Sequence, residues 1–273
     1  MTEIDPSSLR AFFHELADAA AAETLPRFRG TGDVVNKLAD ADGTAYDPVT
    51  AADREGESAI RQRIEATFPD HAILGEEHGA RAGTSGYRWV IDPVDGTRAF
   101  VSGVPVWTTL VGLERDGELI GGLIDQPWLK ERWIGIKAHG TEYSAPQGSK
   151  PASVSSCTSL PDARFTVTDM RPGSYFTDEE LDRLYAVSSP CRIVRQGLDA
   201  YGFALIASGH LDLCIEAGLN WHDIAAIVPV IEAAGGVVCT WDGAPVTEAF
   251  PRGRCVIAAT QALADAACTI LTK

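Results

Sequence analysis

Residues 87–100 read YRWVIDPVDGTRAF, and the fold turns on this stretch. Its opening, residues 88–91, is a mostly apolar run of the kind that forms a buried strand. Pro93 has no N–H and a fixed φ, so the chain is expected to leave the sheet there. Asp92 and Asp95 then fall three apart on a turn at the strand's carboxyl end, with Val94 between them. Two carboxylates so close repel each other unless a cation lies between them. Gly96 permits a backbone conformation closed to side chains, and Thr97 opens a helix through Arg98, Ala99 and Phe100. A helix start presents free N–H groups that suit a phosphate. Cation ligands and an anion cradle thus occur together between Asp92 and Thr97. An ordinary Asx turn also uses Asp, Pro and Gly. Asp-Pro-x-Asp-Gly-Thr behind an apolar strand is a much rarer string, and it favours the metal–phosphate reading.

Composition narrows the partners. The 273 residues are 45% hydrophobic, enough for one large core or two closely packed lobes. A net charge of −15 argues against nucleic acid and anionic membrane as partners. It also repels phosphate esters, so phosphate chemistry here needs a metal to reverse the local sign. The six cysteines form no CxxC pair, and several sit in apolar runs, such as Cys214 in LDLCIEAG and Cys255 in RCVIAA. They read as reduced core residues. MTEIDPSS lacks a basic-then-apolar signal pattern, and no apolar run approaches the ~18 residues of a membrane span. The expectation is a soluble, cytoplasmic chain.

Leu9, Phe12, Phe13, Leu16 and Ala20 recur at helical spacing behind a capped start at Asp5-Pro6. Residues 29–46, with Asn36-Lys37 in the middle, read as a loop. A second amphipathic helix carries Ile60, Ile64 and Phe68, and a brief strand at 72–74 ends in Gly75-Glu76-Glu77. Residues 107–113 and 119–124 form a hairpin about Asp116-Gly117, and 132–136 form a third strand. Residues 143–159 are polar, and near them the chain divides into an N-terminal α+β lobe, 1–148, and a C-terminal α/β lobe, 149–273. In the second lobe, helices are expected at 200–208, 223–234 and 261–271. Strands are expected at 211–216, 237–240 and 255–259.

Further acids stand where regular structure gives way to turns: Glu76 and Glu77 at a strand end, Asp53 and Asp223 at helix starts. Alone, Asp53 and Asp223 read as helix caps. Together with Asp92 and Asp95 they make a hard oxygen set, without a His or Cys cluster, that suits Mg²⁺ better than zinc. His222, beside Asp223, reads as a surface or packing residue.

GEE at 75–77, DPVDGT at 92–97 and the helix-opening Asp223 followed by Ile-Ala-Ala resemble the magnesium-dependent inositol monophosphatase superfamily. The resemblance covers at least residues 47–236. It implies an α+β fold, a layered α/β/α/β/α sandwich, usually a homodimer, with two or three Mg²⁺ between the lobes. Glu76, Asp92, Asp95, Asp223 and the carbonyl of Val94 resemble the metal ligands. Asp53 resembles the acid that holds a water at the metal, and Thr97 the residue that orients the attacking water, with Glu76 assisting. Asp95, Gly96 and Thr97 fall where the phosphate is held. The family's Trp-Asp pair is interrupted here by His222, and its lysine is carried to Lys37. The activity implied is direct hydrolysis of a phosphate monoester by water.

Two stretches, residues 100–110 and 197–209, resemble the histidinol-phosphate phosphatases within that superfamily and imply a role in histidine biosynthesis. Glu216 falls where inositol phosphatases touch a substrate hydroxyl, and Asp199 where the histidinol-phosphate branch places an acid. Read alone, Asp199 is a helix cap and Glu216 a solvated strand-end acid. Inositol-1-phosphate hydrolysis is the rival within the class. A non-catalytic metal-binding protein of the same fold is the rival outside it, and would be expected to lose Thr97 or a ligand. One prediction follows from the motif: Asp95→Asn yields a folded protein with hydrolysis reduced ~10³-fold or more, since a ligand charge and its geometry go together. Substantial activity in that variant contradicts the metal role of Asp95.

Overall fold

The computed structural model describes residues 4–30, 35–36 and 48–273. In chain order the first elements are α1 (Pro6–Thr24), the two-residue strands β1 (Val35–Asn36) and β2 (Pro48–Val49), α2 (Ala51–Thr67), β3 (Ala72–Gly75), β4 (Gly79–Arg81), β5 (Tyr87–Asp95) and α3 (Thr97–Val101). An antiparallel meander follows: β6 (Thr108–Arg115), β7 (Glu118–Gln126), β8 (Glu131–Ile136), β9 (Gly140–Ala145) and β10 (Gly148–Ala152). The chain continues through β11 (Arg164–Val167), α4 (Asp178–Ser188), β12 (Ile193–Gln196), α5 (Asp199–Ala207) and β13 (Leu213–Glu216). It closes with α6 (Trp221–Ile224), α7 (Ile227–Ala233), β14 (Val237–Cys239), β15 (Cys255–Ala258) and α8 (Gln261–Leu271). None of the described helices is long and apolar enough to cross a membrane.

Two sheets and three helix pairs stack into five layers. The eight-stranded sheet runs β10-β9-β8-β7-β6-β5-β3-β4, and the five-stranded sheet β12-β11-β13-β15-β14. Phe13 and Leu16 of α1 and Ile60 and Ile64 of α2 bury against Trp89, Ile91 and Val111 on the outer face of the large sheet. Its inner face, with Leu110, Ile124 and Trp133, meets α5 and α7, which also cover Cys214, Cys255 and Ile257 of the small sheet. Leu181 and Leu184 of α4 and Leu263 and Ala267 of α8 cover the far side, over Leu213, Ile215 and Val256. Successive residues of β6, β13 and β15 therefore fall in alternate cores, as a strand's two-residue period requires. The layered α/β/α/β/α architecture is as expected.

Several local expectations need correction. Pro93 does not end the strand: β5 runs on to Asp95, with Asp92 opposite Leu110 and Asp95 opposite Thr108, so the ladder bulges instead of stopping. The helix expected over 223–234 is two, α6 and α7. Pro229 has no N–H to offer the carbonyl of Ala225 four residues back, which breaks the ladder there. Much of the polar 143–159 stretch is the β9–β10 hairpin. Between residues 160 and 196, β11, α4 and β12 were absent from the expectations. The Thr177–Glu180 capping box ahead of Leu181 and Leu184 marks α4.

A row of glycines seats the middle helices. Gly112, Gly122 and Gly135 lie side by side on β6, β7 and β8. A Cβ on Gly122 would lie 2.1 Å from the Ala226 carbonyl oxygen, and one on Gly135 2.5 Å from that of Pro229. A Cβ on Gly112 would meet the Ala225 backbone at 2.9 Å. The backbone that follows Asp223 thus rests directly on the large sheet. We predict that Gly122→Ala costs about 1–3 kcal/mol through overpacking and also lowers hydrolysis, because α6 carries Asp223. Gly121→Ala, whose Cβ would instead meet the Phe13 ring at 3.0 Å, lowers stability but leaves hydrolysis. Thermal midpoint and turnover measured on both variants check this; full activity in Gly122→Ala would show that the row serves only the core.

Candidate active site

Two parallel strands deliver the first acids. Gly75 of β3 pairs with Ile91 of β5, and the Glu76 N–H donates to the Ile91 carbonyl at 3.2 Å. Glu76, just past the end of β3, and Asp92, at the start of the bulge in β5, therefore stand side by side. Asp92 is buried and accepts the Val94 N–H on Oδ1 at 3.0 Å. The bulge then brings Asp95 back to the same side. Its Oδ2 accepts the Ala200 N–H from α5 at 2.8 Å, which ties it to the small-sheet half of the molecule. Asp223 sits in the first turn of α6, and its Oδ2 accepts the Asn220 N–H at 2.6 Å. One carboxylate oxygen each from Asp92, Asp95 and Asp223 lie within 4.8 Å of one another.

Burial pushes Asp92 well above the usual carboxylate range, and the charges of Glu76, Asp95, Asp223 and Asp53 push it further. Asp95 rises for the same reasons, burial first, then the charges of Asp199 and Asp223. Asp223 is raised by burial against the opposing pull of His222, whose Nε2 lies 3.4 Å from Oδ1. Such a set is costly without a cation. Its donors are all hard oxygens, and they fit a small divalent ion. Glu76 stands outside the tight triad but lines the same cleft, of about 300 Å³, as does Val94.

Thr97 does not cap its own helix: the N-cap of α3 is Gly96, at φ 78°. The Thr97 hydroxyl instead faces the Val94 carbonyl at 3.0 Å and Asp53 Oδ1 at 3.3 Å. Asp53 lies in the first turn of α2, and its Oδ2 accepts both the N–H (2.8 Å) and the hydroxyl (2.6 Å) of Thr50. Burial raises Asp53 against those bonds, and Glu76 adds to the rise. One hydroxyl proton with two acceptors leaves Thr97 lone pairs for a third partner, such as a water.

The same cleft also carries Asp199 and Glu216. Asp199 opens α5 at φ 47°, without a side-chain cap bond. Gly96 must be glycine beside it, because a Cβ there would come 2.8 Å from Asp199 Oδ2. Burial raises Asp199 to about 6, against the attraction of Arg98. Glu216 is buried, not solvated, and accepts the N–H and hydroxyl of Thr168 on Oε1 at 2.7 and 2.8 Å. Burial pushes it up to about 8.

Some supporting residues were not anticipated. The fully buried Glu57 accepts the Glu77 N–H at 2.7 Å and pairs with Arg61 at 2.6 Å, holding the turn that presents Glu76. A Cβ on Gly75 would sit 1.9 Å from Glu57 Oε1, which explains the glycine of GEE. A charged residue on the helix face of Asp53, Ile60 and Ile64 was its signal. Thr168 and Tyr175 line the cleft, with the Arg98 guanidinium 5.1 Å from the Tyr175 ring. No sequence pattern marks them. Lys37 lies outside the described residues.

The profile of the inositol monophosphatase family matches residues 5–273. The chain belongs to that family. On this kinship it is a phosphoric monoester hydrolase. A bifunctional chloroplastic phosphatase of Arabidopsis thaliana is 40% identical over 245 residues, which is 89% of this chain and 66% of that protein's length. A histidinol-phosphatase of Streptomyces coelicolor is 34% identical over 85% of this chain and 86% of its own. The solved inositol monophosphatase of Zymomonas mobilis superposes with a TM-score of 0.84 at 32% identity, covering 99% of this chain and 100% of that one. Within this inositol monophosphatase fold, Trp221, beside His222, donates its indole N–H to Glu114 Oε1 at 2.7 Å, and Arg88 holds Glu114.

The position of the Thr97 hydroxyl generates a prediction. Thr97→Ala lowers kcat by about 10²-fold or more while shifting stability by only about 1 kcal/mol. Turnover and thermal midpoint measured together check it, and preserved turnover contradicts it.

Proposed function

We propose that this chain is a Mg²⁺-dependent phosphomonoesterase that hydrolyses histidinol phosphate to histidinol and phosphate, a step of histidine biosynthesis, and works as a homodimer. The observation that carries the substrate is the pair of acids, Asp199 and Glu216, lining the same cleft as the Asp92–Asp95–Asp223 cluster. An inositol phosphate offers only hydroxyls to Asp199. Histidinol phosphate offers an ammonium, and a charge-assisted pair is roughly twice as strong as a neutral hydrogen bond. Relatives named histidinol-phosphatase at 34% identity support the choice. Inositol-1-phosphate is the second reading, favoured by the 32% identity to a solved inositol monophosphatase.

Asp92, Asp95, Asp223, Glu76 and the Val94 carbonyl would hold two or three Mg²⁺. When bound, they supply positive charge for the phosphate and the leaving oxygen, and acidify water. The Thr97 hydroxyl, oriented by Asp53, accepts or donates a hydrogen bond to the attacking water and aims it at phosphorus. Asp53 and Glu76 take up its proton; burial and the charge of Glu76 make Asp53 more basic than an ordinary carboxylate. Backbone around Gly96 and Thr97 receives the phosphate oxygens. Asp199 and Glu216 hold the leaving group.

Phosphate release from histidinol phosphate, inositol-1-phosphate and glycerol phosphate, with and without Mg²⁺, tests this proposal. Asp199 ionises through about pH 6. The ratio of kcat/KM for histidinol phosphate to that for glycerol phosphate should therefore rise as pH increases through that value. Asp199→Asn should remove the rise and raise KM for the amine ester by about tenfold. Equal losses on both esters would show Asp199 to be structural only, and faster wild-type hydrolysis of inositol phosphate would sink the substrate assignment.

A further inference from the structure

Cys239 ends β14 and Cys268 lies on α8, with their sulfurs 3.9 Å apart. Cys239 is buried in the outer core of the small sheet, and Cys268 is half-buried at its edge. Neither lines the catalytic cleft. We propose that these two thiols are a reversible oxidation site that closes to a disulfide when a hydroperoxide is present.

The geometry suits the chemistry. The thiols are already in contact, and the sulfurs have to close from 3.9 Å to the roughly 2.05 Å of a disulfide. The more exposed Cys268 is the attacking thiol. The contact with Cys239 holds it below the ordinary thiol range, against burial, and the same contact together with burial raises Cys239. A half-buried cysteine in contact with a second one is placed so that a sulfenic acid on the first can be resolved as a disulfide. In the first step the Cys268 thiolate attacks one peroxide oxygen, the O–O bond breaks, and sulfenic acid and hydroxide form. In the second, the Cys239 sulfur attacks the sulfenic sulfur, the S–O bond breaks, and a disulfide and water form. The thiols lose two electrons, and the peroxide gains them to become two waters once the released proton meets hydroxide. Cys268 Sγ also donates to the Thr240 carbonyl at 3.7 Å, and it is the sulfur–sulfur contact that sets this pair apart. Cys157 and Cys191 donate to the carbonyls of Ser159 (3.5 Å) and Val187 (3.3 Å), while Cys214 and Cys255 lie buried in the middle layer.

The bond would act on the wall of the cleft. Trp241, two residues after Cys239, donates its indole N–H to the Glu216 carbonyl at 3.1 Å. Its ring stacks on Phe176, whose neighbour Tyr175 lines the cleft. Drawing Cys239 towards α8 pulls on the segment that buttresses Glu216, so oxidation shifts KM severalfold and leaves kcat largely intact. This consequence rests on the leaving-group role proposed for Glu216; the disulfide does not.

Hydrogen peroxide added to the full-length protein, followed by digestion without reductant and mass spectrometry, tests the site. The expected result is a cross-linked Cys239–Cys268 peptide that a thiol reductant splits and that Cys268→Ser lacks. In Cys239→Ser, Cys268 should instead be trapped by dimedone as sulfenic acid. Two free thiols at these positions while Cys157 or Cys191 oxidises, or no dimedone adduct at Cys268, would overturn the proposal. A disulfide that forms without moving KM would overturn its coupling to Glu216.

Discussion

The mutual repulsion of buried carboxylates is the constraint that the rest of this structure serves. Asp92, Asp95 and Asp223 arrive from a bulged strand and a separate short helix, yet offer oxygens within 4.8 Å of one another. No apolar packing would gather them, and burial makes their charges costly. The surrounding fold holds them against that cost. The Ala200 N–H ties Asp95 to α5, the Asn220 N–H ties Asp223, and Glu57 fixes the turn that starts at Glu76. Beneath them the glycine row lets the α6–α7 backbone lie directly on the large sheet.

The cleft holds two distinct sets of acids. Towards the cluster, hard oxygens stand ready for a cation, with Thr97 and Asp53 beside them. Asp199 and Glu216 line the same cleft outside the tight triad. Gly96 joins the two sets, because a side chain on it would meet Asp199. One glycine thus serves both the turn after Asp95 and the placement of Asp199.

Much of this was legible from local pattern. DPVDGT and GEE announce the acid cluster because a strand, a turn glycine and paired acids sit in one short window. Leu9, Phe12, Phe13 and Leu16 give α1 through spacing alone, and Asp116-Gly117 gives the hairpin. What stayed hidden depends on partners distant in sequence. The bulge at Pro93 is set by pairing with β6. β12 lies exposed along its whole length at a sheet edge, so it shows no alternation to read. Glu216 looks like a surface acid until Thr168, far upstream, is seen to hold it. Thr97 reads as a helix cap until Asp53 and Val94 are seen to claim its hydroxyl.

The central claim is that this acid cluster is a divalent-cation site. Titrating Mg²⁺ alone into metal-stripped protein, followed by calorimetry and thermal unfolding, tests it without any substrate. The account predicts saturable binding and a thermal midpoint that climbs with Mg²⁺, equivalent to about 2.7 kcal/mol when the ion is at a hundred times its Kd. No saturable binding, with an unchanged midpoint, would contradict it.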